Sequence, residues 1–88
     1  MKFILNNFLD DHGRVKQWPS KRAVQIEVVA YLAGKFNAET SYSESEVNDV
    51  IKKHHTFDDW AILRREMVEL GFFDRDISGS IYVRTAKV

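Results

Sequence analysis

Three features of the chain predict an α+β fold that is mainly helical. A long apolar-faced stretch precedes two shorter ones, each shorter stretch carries its own start or stop signal, and two β-prone runs around a Ser-Gly pair close the chain. Three main helices plus a small antiparallel β-hairpin wing, in that order, make a winged-helix-like arrangement. At 88 residues there is room for one modest core and no second. We therefore read a single domain: an N-terminal extension over residues 1–18, a long helix within 19–37, and a helix-turn-helix with its wing over 42–84.

In the extension, Phe3, Ile4, Leu5, Phe8 and Leu9 fit one face of a short helix about as well as a frayed strand. Asp10, Asp11, His12 and Gly13 have the composition of a turn, and Trp18, which precedes Pro19, is expected to be extended. Pro19 lies close to a helix start, and Ser20 is the expected cap for a helix over about residues 21–36. Its core face is Val24, Val28, Val29, Leu32 and Phe36, with Gly34 weakening the last turn and Asn37 ending it. Residues 38–41 read as a linker.

Ser43 is followed three residues later by Glu46, the spacing of a capping box, and Tyr42 and Val47 then fall at the positions of a hydrophobic staple. A helix over about residues 44–54 buries Val47, Val50 and Ile51 and leaves Glu44, Asp49, Lys52 and Lys53 in water. The next helix starts at Thr56 or Asp58 and runs to Leu70, with Trp60, Leu63, Met67 and Leu70 as its buried stripe. Gly71 as a left-handed closing residue, with Phe72 folded back on Met67, predicts a Schellman stop. Residues 72–74 and 81–84 are the wing strands, and Ser78 and Gly79 supply the turn.

The chemistry is narrower than the architecture. The 13 basic residues balance the 13 acidic ones, so net charge draws the chain to neither nucleic acid nor an anionic membrane. There is no cysteine, no apolar run near the roughly 20 residues that span a bilayer, and no secretory pattern at the start; a cytoplasmic location is expected. Adjacent His54 and His55 point about 100° apart on a helix and cannot easily share a metal. The pairs Asp10-Asp11 and Asp58-Asp59 sit at a turn and a helix start, where carboxylates belong anyway. We expect no catalytic residues, no metal site and no cofactor.

Two binding sites are conceivable. If the 42–84 unit held DNA, Arg64, Arg65, Arg75 and Arg84 would carry the contacts. With the apolar stripe inward, however, the outward face of the second helix is Asp59, Ile62, Arg65, Glu66 and Glu69, with Asp58 near its start, and this surface repels a duplex. Arg64 reads as a stem packed on Trp60 with its charge paired to a nearby carboxylate. In the wing, Asp74 and Asp76 flank Arg75, and only Arg84 and Lys87 follow. Basic residues gather instead in the first half, at Arg14, Lys16, Lys21, Arg22 and Lys35. Lys21 and Arg22 fall in the first turn of the long helix, where unpaired amides already carry partial positive charge. Something negative must compensate. It is either Asp10 and Asp11, folded back by the turn, or a phosphate or carboxylate ligand seated by the free amides, Lys21, Arg22 and the face of Trp18.

The motifs WPSKR, YSESEV, LRREMVELGFFDR and the closing YVR together resemble an uncharacterised bacterial domain family, a domain of unknown function found alone or C-terminal to arsenic-repressor-type helix-turn-helix regulators. The likeness runs from about Leu5 to Arg84; Glu69 stands where the family's pattern has an aspartate. It implies a winged-helix-like fold and an association with transcription regulators, and supplies no reaction. The expectation is a non-catalytic regulatory module that binds a protein partner or a small anionic ligand. The alternative is a DNA-binding winged-helix regulator, acting as a dimer; DNA binding is expected to be weak.

Overall fold

The structure, a computed structural model, describes residues 5–86; Phe3, Ile4 and Lys87 lie outside them. Helices α1 (Arg22–Ala33), α2 (Glu44–Lys53) and α3 (Trp60–Glu69) and strands β1 (Ser41–Ser43), β2 (Phe73–Arg75) and β3 (Ile81–Arg84) follow one another as α1-β1-α2-α3-β2-β3. The sheet is antiparallel in the order β1-β3-β2, with Tyr42 opposite Tyr82 and Asp74 opposite Val83. The fold is α+β and winged-helix-like, with one strand more than expected. Where the sequence reads as a linker, Glu39 takes a positive φ of 58°, its N–H donates to Arg84, and Arg84 N–H donates to Thr40. The turned chain then pairs along β3 as β1.

Local signals set the ends of α2. Ser43 Oγ accepts from Glu46 N–H at 3.1 Å, and the Glu46 carboxylate accepts from Ser43 N–H at 2.8 Å, closing the capping box. Acidic Glu44 and Glu46 occupy the first turn and basic Lys52 and Lys53 the last, each favourable to the helix dipole. The other helices differ from expectation at their starts. The residue before α1 is Lys21, extended and without a side-chain cap, so Ser20 does not cap; the helix ends at Ala33, and Gly34 to Phe36 form a tightened turn. α3 begins later than Thr56 or Asp58 because Asp58 takes φ 55°, and Asp59 becomes the cap, its carboxylate accepting from Ile62 N–H at 3.4 Å. Its stop is the expected Schellman motif: Gly71 at φ 85°, with Phe72 N–H bonded to Met67 and Gly71 N–H to Val68.

The core lies between α1, the inner stripes of α2 and α3, and the sheet. Val28, Val29, Leu32, Val47, Ile51, Leu63, Met67, Phe73 and Tyr82 are all at most 1% exposed. Each such side chain contributes about 1.5–3 kcal/mol by leaving water. Phe36 and Phe73 meet edge to face at 4.9 Å, and Phe36 and Tyr42 at 5.2 Å, tying the end of α1 to both edges of the sheet. Trp60, Val50 and Leu70 pack on this core but stay half-buried. Val15, fully buried, anchors the N-terminal segment: it bridges Leu9 on one side and His55 on the other. No helix among the described residues is long and apolar enough to cross a membrane.

Replacing Ser43 by Ala removes one half of the capping box and leaves Glu46 N–H unpaired. We expect a loss of about 0.5–2 kcal/mol, read as a lower urea midpoint with an unchanged slope. An unaltered midpoint would mean that the box does not hold the start of α2.

Candidate functional site

What α3 presents to solvent follows from which neighbours cover it. α1 packs across one side, so Glu66 turns toward α1 and sits 2.9 Å from Arg22 Nη2, while Ile62 joins the core periphery. Glu66 Oε1 is buried and takes no aligned hydrogen bond, which leaves the ion pair as its compensation. The outward face expected from helical periodicity is therefore corrected: Ile62 and Glu66 are not on it. What remains is a stripe of Ala61, Arg64, Arg65, Val68 and Glu69, and the wing rises beside it with Arg75 and Tyr82.

These residues line a groove of about 280 Å³. Three arginines, Arg64, Arg65 and Arg75, line it together with one acidic residue, Glu69, and with Ala61, Val68 and Tyr82. Arg64 does not pair with its own helix. Its Nη1 donates to Asn48 Oδ1 at 2.6 Å and lies 3.7 Å from Glu44 Oε1, both on α2, while Lys52 rather than Arg64 stacks over the Trp60 ring. The side chains of Arg65 and Arg75 form no hydrogen bond or ion pair among the described residues. A guanidinium without a counter-ion in a concave, partly apolar setting is a ready donor fork for phosphate or carboxylate oxygens.

The wing wall is held by Asp76. Its carboxylate accepts from the N–H groups of Ile81 and Ser80 and from the hydroxyls of Ser78 and Ser80, and Gly79 at φ 76° lets the chain turn. The Ile81 backbone bond leads the interactions that hold the Asp76 carboxyl below its ordinary range. Ser78 and Gly79 thus lie in the turn as expected, but the aspartate organises it. Arg84, grouped with the other arginines by sequence, is separated from them. It is 5% exposed, its Nε donates to Ala33 O at 2.8 Å, and its guanidinium lies over Phe72. It closes the carbonyl end of α1.

Trp18, Lys21 and Arg22 are not gathered around one seat. Trp18 packs half-buried on the core, Arg22 is taken by Glu66 and Gln25, and Lys21 lines a separate cavity of about 350 Å³ with Phe8, Pro19, Ser20 and Val24. Nor do Asp10 and Asp11 fold back to Arg22. Asp10 pairs with Arg14 at 2.8 Å and accepts from the N–H groups of His12 and Arg14. Desolvation, the largest single influence, pushes its carboxyl up, and these bonds together with the Arg14 charge outweigh it, holding the group below its ordinary range. Among the described residues no three His, Asp or Glu side chains converge as metal ligands. His55 is buried, with Nδ1 2.6 Å from Ile51 O and Nε2 accepting from Asp59 N–H at 3.0 Å. Sequence spacing places it only beside His54 and gives it no such role.

The family described as "uncharacterized protein conserved in bacteria (DUF2087)" matches residues 14–84, a span that includes α1 to α3 and β1 to β3. No curated protein and no solved structure matches.

Acid should loosen the fold in two steps. Burial first, then the charges of Lys35 and Lys53, hold the His54 imidazole below its ordinary value of 6.5, so the unfolded chain takes up that proton earlier and stability falls as pH drops through that range. Asp10 and Asp76 have the opposite chemistry with the same direction. Their stabilisation is present above the ordinary value of 3.8 and is lost as pH falls through their lowered folded values. Urea melts from about pH 7.5 to about pH 3 should show both declines. His54→Gln should flatten the first and Asp76→Asn the second; a wild-type profile without either decline would contradict the assignments.

Proposed function

The chain belongs to that bacterial family, and from the groove we propose that it is a non-catalytic binding module of transcription-regulator type whose α3–wing groove takes a small anionic ligand. The observation that carries this reading is the convergence of Arg64, Arg65 and Arg75 from α3 and the wing on one concavity of about 280 Å³. That volume suits a compact anion more than an extended one. Among the described residues that line the groove no nucleophile with an adjacent base accompanies the arginines, so binding without turnover is the chemistry they support.

The nucleic-acid alternative is favoured by one specific observation: α3 and the wing are the elements through which a helix-turn-helix domain approaches a duplex, and they carry these same cations. This is an argument from fold. Against it, exposed Asp58 and Asp59 stand at the start of α3, the end that would enter the major groove. We therefore rank a free anion above the phosphate backbone of DNA.

Amide NMR separates the readings. Pyrophosphate should give saturable shifts centred on residues 61–69 and 75, weakened by added salt. Arg65→Gln and Arg75→Gln should each weaken binding about three- to tenfold, with thermal stability unchanged because neither side chain has a partner to lose. A nanomolar, sequence-specific duplex affinity lowered by Arg65→Gln would replace this reading with the DNA one. Shifts confined to residues 18–24 would move the site to the start of α1.

A further inference from the structure

Arg64 differs from the other two arginines of the groove in being held from behind. Both of its partners belong to α2: Asn48 Oδ1 at 2.6 Å from Nη1, and Glu44 Oε1 at 3.7 Å from the same nitrogen. The first is a short hydrogen bond and the second a charge contact without one. Nε and Nη2 form no bond among the described residues, so they are left for other acceptors. Glu44 is itself weakly placed. Its side chain is 46% exposed, and Tyr82 Oη donates to its second oxygen at 3.5 Å, close to the limit of a hydrogen bond.

Resting on the anion-binding reading of the groove, we infer that α2 sets what the groove accepts through two residues acting in opposite senses. Asn48 is a positioning residue that orients Arg64 without neutralising it, and Glu44 is a resident counter-ion with which an incoming anion competes. The competition selects a ligand class. A carboxylate ligand would exchange one carboxylate for another at Arg64 and gain little. A phosphate monoester or pyrophosphate brings about two charges and three acceptor oxygens, enough to meet Arg64 together with Arg65 and Arg75. Phosphorylated small molecules are therefore the class the groove admits, and simple carboxylates are excluded.

A structural role for Glu44 predicts the opposite sign from a competing one. Glu44 lies in the first turn of α2, where a carboxylate favours the helix dipole, so its neutralisation weakens the helix slightly. If it merely supported the fold, Glu44→Gln would also weaken binding.

The test is titration of the whole chain with pyrophosphate and, separately, with acetate, followed by amide NMR on the wild type, Glu44→Gln and Asn48→Ala. The wild type should saturate with pyrophosphate and not with acetate. Glu44→Gln should bind pyrophosphate about two- to fivefold more tightly, the scale of a partly exposed ion pair, and should begin to respond to acetate. Asn48→Ala should bind more weakly by a similar factor while its spectrum remains folded, and the Arg64 Nε–H resonance should become more mobile. Wild-type binding with no gain in Glu44→Gln overturns the counter-ion, and unchanged binding in Asn48→Ala overturns the positioning residue. A wild type that binds neither anion overturns the reading of the groove, and this inference with it.

Discussion

The turn between α2 and α3 has to satisfy backbone groups that neither helix can reach, and the position of α3 depends on how it does so. Val15 supplies two bonds: its N–H donates to His54 O and its carbonyl accepts from Thr56 N–H, at 2.8 and 2.9 Å. His55 supplies two more through its ring, one to the last turn of α2 and one to the N–H of Asp59, the residue that caps α3. Both residues are buried, so a lost partner would leave a polar group unpaired away from water. Nε2 accepts from an N–H, so the ring N–H that meets Ile51 O is the one on Nδ1. The rotation of α3 about its axis is fixed from this knot onward.

That rotation decides the sign of the charge at the groove. Consecutive residues on a helix differ by about 100°, and Arg65 and Glu66 are neighbours. Arg65 faces the wing side, while Glu66 turns under α1 and meets Arg22. The pair Arg22–Glu66 therefore has a double effect. It relieves two adjacent cations at the amide end of α1, and it withdraws from the groove side a carboxylate that would otherwise oppose Arg65 and Arg75.

Features written in a few neighbouring residues were legible before the structure. The capping box at Ser43 and Glu46, the Schellman stop at Gly71, the turn at residues 10–13 and the centres of the buried stripes, though not Val50, Trp60 and Leu70 at their edges, depend on local spacing. Those that depend on distant chain were not. Strand β1 is three residues of Ser-Tyr-Ser, and only pairing with β3 about 40 residues later makes it a strand. The start of α3 was misplaced because Asp58 is carried into a left-handed conformation and His55 reaches forward to the cap. The groove was hidden for the same reason. Helical periodicity gives a single apolar side to a segment, yet α3 is covered on two, by the core and by α1, so Ile62 and Glu66 counted as outward when they are not.

Neutral composition concealed the groove as well, and the bonding of the carboxylates explains how. Asp10, Glu46, Asp59 and Asp76 all accept from backbone N–H groups at turns and helix starts, and Glu66 is occupied by Arg22. A carboxylate bonded to amides keeps its charge but is fixed in place at a turn or cap, and cannot move to pair with an arginine elsewhere. The chain's 13 acidic residues therefore do not cancel its 13 basic ones locally. Four of these carboxylates are held by backbone geometry, and at Arg65 and Arg75 the matching positive charge stands without a counter-ion among the described residues. A chain of zero net charge can in this way carry a cationic concavity, and the turns that fold it are what keep that concavity cationic.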